Sequence, residues 1–170
     1  MSKFNHLDYW KAITLFGLNV ATYKPALGKV LLKVAQSGKS EISWDDLSLY
    51  FFEEFRDRIE KTQMPQQSNP GRLSKLERIV KKHNLGNISE NEAIMTVGRE
   101  GFNDVIPRFH TIGQNSNFAK DYFYKIEFGK RLIIKDSLLD ISENSFIELE
   151  GEIEARWSLL EGAFEMQHSP

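Results

Sequence analysis

Five cations, Arg72, Lys75, Arg78, Lys81 and Lys82, lie within one short stretch whose only acid is Glu77. On a helix, this spacing puts Leu73, Leu76, Ile79 and Val80 on one side and the cations largely on the others. Side chains so arrayed can neutralise several phosphates and release their counterions, giving salt-sensitive affinity that is blind to sequence. A solubilising surface helix carries the same residues, and both readings stand at this point. Arg108, Lys130 and Arg131 extend the patch if the fold brings them near.

The other reactive side chains form weaker patterns. His6, His83, His110 and His168 stand at no metal-ligand spacing from one another, and neither a His-Glu-x-x-His helix nor a pair of Glu-x-x-His motifs of the di-iron kind occurs, so no metal site is expected. His110 follows Pro107 and Arg108 and would serve as a general base given a carboxylate or substrate in hydrogen-bond reach. Without one it is a histidine satisfied by backbone groups. Glu148 with Glu152, and Glu150 with Glu154, share helix faces at i, i+4. Such pairs hold a divalent cation when other ligands converge, and otherwise form a solvated face. No Gly-rich phosphate loop is present, and the lack of cysteine excludes disulfides, Cys-ligated zinc, iron–sulfur clusters and thiol nucleophiles.

A chain of 170 residues with 41% hydrophobic and 27% charged side chains fits one globular domain spanning 1–170. The first ten residues show no apolar leader, and no apolar run approaches the length of a membrane span, so a cytoplasmic protein is expected. Net charge is −2, yet residues 1–86 carry 14 Lys/Arg against 9 Asp/Glu, and residues 87–170 carry 8 against 15. The halves suit opposite partners, or the asymmetry is a property of a solvated surface.

The elements that must position these groups read as follows. Leu7, Trp10, Ile13 and Leu15 mark a first helix that meets Gly17 and Asn19. Pro25 opens a second, with Leu27, Val30, Leu31 and Val34 on one face and Gly38 at its end. Ser43 caps a third, in which Leu47, Phe51, Phe55 and Ile59 recur every four residues. The polar stretch 61–71 is a loop, and the basic helix follows over 72–84, ended by Gly86. Ser89 and Glu92 form a capping box for a fifth helix. Val105 to Ile112 predicts extended chain, because Pro107 biases Ile106 away from helix, and residues 115–117 predict a loop. Two β-prone runs flank Phe128-Gly129-Lys130 as a hairpin. A last helix, starting near Ser142 or Ser145, repeats Phe146, Leu149, Ile153, Trp157, Leu160 and Phe164, with Glu154 and Glu161 among its exposed acids. The expected fold class is mainly α (α+β), with about six helices and a small β-hairpin near 122–135.

Three stretches, Leu18 to Leu27, Val105 to His110 and Leu149 to Phe164, resemble in order and spacing the N-terminal region of bacterial HNH endonucleases of the restriction or phage-defence sort. In that family a metal-binding His-Asn-His finger follows this region, and this sequence ends before any such unit. The resemblance therefore implies no catalytic residue and no cofactor in this chain, with a divalent metal expected only in a nuclease module outside it. It implies a DNA-recognition or regulatory domain, with DNA contacted by Arg72, Lys75, Arg78, Lys81, Lys82 and Arg108, and a nuclease module or subunit as partner. The alternative is a protein-interaction module that binds through Glu154, Trp157 and Glu161. A third reading is a small enzyme using His110.

Overall fold

The computed structural model describes residues 5–16, 21–111 and 120–169. Among them the chain is mainly α. The helices are α1 (His6–Phe16), α2 (Tyr23–Gln36), α3 (Trp44–Thr62), α4 (Lys75–Asn84), α5 (Glu90–Thr96), α6 (Val105–Arg108) and α7 (Asp136–His168). Strands β1 (Glu41–Ser43), β2 (Tyr124–Glu127) and β3 (Arg131–Ile134) accompany them, and a π-helical turn, Val97–Gly101, continues α5. No helix among the described residues is long and apolar enough to cross a membrane.

Local chemistry sets many of the helix ends. Ser43 accepts the Asp46 N–H at 3.1 Å, and Ser89 accepts that of Glu92 at 3.1 Å. Each satisfies a donor that the helix itself leaves unpaired. Gly38 and Gly86, at φ +81° and +78°, turn the chain out of α2 and α4 in the left-handed region that glycine enters without strain.

α7 is the spine. α2 and α1 pack along it, while α3 packs on α2 and carries α4, α5 and the π turn. Gly28 permits the closest approach of α2 to α7: a Cβ there would lie 3.1 Å from Ile153 Cδ1. The core joins Trp10, Phe51, Phe52, Phe55, Phe109, Phe123 and Trp157. The hairpin β2–β3 forms as expected, but β1 adds a third strand that pairs Ile42 with Leu132.

Several expected boundaries move. The basic helix begins at Lys75, because Ser74 and Glu77 form a full capping box that leaves Arg72 and Leu73 outside. The extended reading of Val105 to Ile112 is overturned over Val105–Arg108, which is a helical turn. Pro107 falls in its first turn, where the missing N–H has no intrahelical acceptor, and burial of Val105 and Ile106 outweighs the steric bias. α7 consists of two helical segments that meet at the non-helical Ser145 (φ −138°, ψ 20°): the second starts there, within the expected bounds, and the first, from Asp136, precedes it. Gly17, Asn19 and the loop expected at 115–117 lie outside the described residues.

Candidate nucleic-acid interface

α4 turns Leu76, Ile79 and Val80 inward, which leaves Lys75, Arg78, Lys81 and Lys82 exposed, and Arg72 is exposed on the preceding loop. Among the described residues none of these five cations forms an ion pair. Glu77 does not offset them, since its carboxylate is committed to backbone donors: Oε1 accepts the Ser74 N–H at 2.9 Å and Oε2 that of Gln66 at 3.3 Å. At 1.5 Å per residue the four helix cations span about 10 Å, over which duplex DNA presents roughly six charges. The surface so made has the composition and the spacing that phosphate contacts require.

The other expected basic residues do not simply enlarge it. Arg108 is exposed at the end of α6, which packs against α2. Arg131 is held by Glu41 at 2.5 Å and by Glu127 at 3.0 Å. Lys130 stays exposed at the hairpin turn and forms no ion pair among the described residues.

Glu154, Trp157 and Glu161 sit differently from a partner-binding face. Trp157 is fully buried and Glu161 is 2% exposed, so Glu161 does not lie on an exposed side. Arg58, on α3, reaches Glu161 at 2.6 Å, Glu154 at 2.5 Å and Ser158 at 2.9 Å, with its guanidinium 4.8 Å from the Trp157 ring centroid. Gln66 is the hub beneath: its Nε2 donates to Glu161 at 2.6 Å, and its Oε1 accepts from Trp157 Nε1 at 2.8 Å and from Thr22 at 2.7 Å. Glu154 also binds Lys29. Burial alone would raise the Glu154 carboxyl, but Lys29 and Arg58 hold it below the ordinary carboxylate range. Side chains so engaged are internal struts. The paired carboxylates Glu148 and Glu152 likewise converge on Lys11, at 3.0 and 3.2 Å.

His110 is 4% exposed, and its Nε2 accepts the Phe123 N–H at 3.1 Å. Burial pushes its pKa down to about 4, with Asp121 opposing the shift and Lys24 and Lys135 adding to it. The imidazole is therefore neutral at pH 7, and the nitrogen that would take a proton already holds a backbone donor. Between about pH 6.5 and pH 4 the unfolded chain binds a proton that the folded chain refuses, so stability falls as pH falls through that window. Urea denaturation of the wild type at pH 4.5 should show roughly 2–3 kcal/mol lost through His110 relative to pH 7.5. A His110→Gln variant should lack that share of the acid loss, and equal acid sensitivity in both proteins would refute the assignment.

Ser74 and Gln66 also shape this region, and they differ in how far the sequence announces them. Ser74-x-x-Glu77 has the same form as the Ser89 box and was legible. Gln66 was not, since a glutamine in a polar loop gives no sign of burial. No protein-family model, curated protein or solved structure matches the chain.

Proposed function

We propose that this domain docks on the phosphate backbone of duplex DNA as a non-catalytic recognition or positioning part of an HNH-type nuclease system. The observation that carries the DNA reading is the exposed α4 face, with four cations that form no ion pair among the described residues and its one acid turned to backbone N–H groups. The nuclease association rests on the three ordered sequence motifs alone.

Fluorescence anisotropy of a labelled duplex, titrated with the domain at about 50 and about 200 mM salt, tests the docking. Four phosphate contacts give a slope near −3.6 in log affinity against log salt, so binding should weaken about a hundredfold between the two conditions. Absence of binding at the lower salt would end the reading for this domain.

A protein-interaction module is the second reading, and one observation favours it in altered form. Ile147, Leu159 and Met166 are exposed on α7, and helical geometry puts Leu159 and Met166 on the side away from the buried Trp157. A partner helix would meet that outer face, with Glu154 and Glu161 playing no direct part.

A further inference from the structure

α4 is joined to α5 by residues 85–89, a short connection in which Gly86 adopts φ +78°. The Gly86 N–H bonds to His83 O at 3.0 Å and the Asn87 N–H to Lys82 O at 2.9 Å, so the turn is closed by backbone hydrogen bonds. Two helices joined by a short glycine-containing turn are the elements from which a helix-turn-helix is built. In that arrangement the first helix crosses the DNA backbone, and the second presents side chains to base edges in the major groove.

The division of side chains between the two helices follows the same logic. α4 carries the cations. α5 and the π turn form one continuous helical run from Glu90 to Gly101 that buries Ala93 and Val97. Opposite that buried side, Asn91, Met95 and Arg99 recur at i, i+4, i+8, with Asn91 and Arg99 exposed and Met95 62% exposed. These are base-reading types: an Asn amide pairs with adenine, an Arg guanidinium with guanine, and an apolar tip with the thymine methyl. Glu90, Glu92 and Glu100 flank the face and repel phosphates, so this helix is a poor backbone contact. Both helices pack on α3 and against each other. The π turn is fixed from behind: Trp44 Nε1 donates to Gly98 O at 3.1 Å, and a Cβ on Gly98 would lie 2.9 Å from that nitrogen.

We infer that α4 and α5 act as a helix-turn-helix, with α4 on the phosphates and Asn91, Met95 and Arg99 reading bases in the major groove. This rests on the DNA-docking reading and adds sequence preference to it.

The test is affinity selection of the full chain against a random duplex pool, followed by anisotropy on the enriched and on a scrambled duplex. The wild type should enrich a defined site. Asn91→Ala and Arg99→Lys should each lose about tenfold on that site and leave scrambled-duplex binding unchanged. Arg99→Lys keeps the charge and removes the bidentate fork, so its full activity on the enriched site would reduce Arg99 to a phosphate contact and overturn the inference. Salt-sensitive binding with no enriched site would also overturn it while sparing the docking reading. No binding to any duplex would overturn both.

Discussion

Changing Lys75, Arg78 and Lys82 to glutamate is expected to abolish duplex binding and leave the fold intact. Each phosphate contact withdrawn takes about 0.9 from the salt slope, so the triple variant should lose roughly 2.7 of it. Extrapolated to about 50 mM salt, three lost contacts amount to about a thousandfold in affinity before repulsion from the new carboxylates is added. The fold should tolerate the change, because all three side chains are exposed and make no ion pair among the described residues. Lys, Arg and Glu have nearly equal helix propensity. A carboxylate gains at position 75 in the first turn and loses at position 82 in the last, each by about 0.3–1 kcal/mol. Circular dichroism melts should therefore coincide within a few degrees. Reversing Lys39, Lys61 and Lys125, which are exposed off α4, gives the same change in net charge. At about 100–150 mM salt that control should keep binding within about tenfold, since there a charge beyond a Debye length of roughly 8–10 Å is screened. A control as damaging as the α4 variant would mean that bulk charge, not the helix, holds DNA.

Features written locally were legible in the sequence. Ser43 and Ser89 cap helices because their acceptor and donor lie three residues apart, and Gly38 and Gly86 end them for a reason internal to the residue. The cationic face of α4 was visible because its periodicity fixes which side is apolar. What depends on distant chain was not. β1 is three residues long, and its pairing partner Leu132 lies 90 positions beyond Ile42. Glu161 read as a solvated acid because nothing near it reveals Arg58, 103 residues away. A faint sign existed: Arg58 and Glu161 each fall beside an otherwise apolar stripe, one after Phe55, the other between Leu160 and Phe164. Two opposite charges interrupting two core faces are a reason to pair them. The Asn91–Met95–Arg99 face needed the buried side of α5 before its outer side could be named.

Breaking that pair should produce the largest loss of stability in the domain. Glu161→Leu leaves the Arg58 guanidinium buried without the carboxylate that its Nε and Nη2 both reach, and takes one acceptor from Gln66 Nε2 and one from Thr62 Oγ1, which keep only Met64 O and Arg58 O. An uncompensated buried charge costs about 3–5 kcal/mol, a third or more of the roughly 5–15 kcal/mol that holds a domain of this kind together. Glu154 remains as a partner for Arg58, but it already serves Lys29 and is more exposed, so it offsets only part of the loss. Removing both charges, as Arg58→Met with Glu161→Leu, eliminates the desolvated cation and should recover at least half of the deficit. The recovery stays incomplete because Gln66, which also ties Trp157 and Thr22 and still donates to Met64 O, keeps one buried amide N–H without an acceptor. Urea titrations of the wild type, both singles and the double close the cycle. A double variant whose loss equals the sum of the singles would show the pair to be uncoupled. A strong positive coupling would identify the α3–α7 strut, and through the Gln66 N–H on Glu77 the support of the α4 cap, as a single cooperative unit.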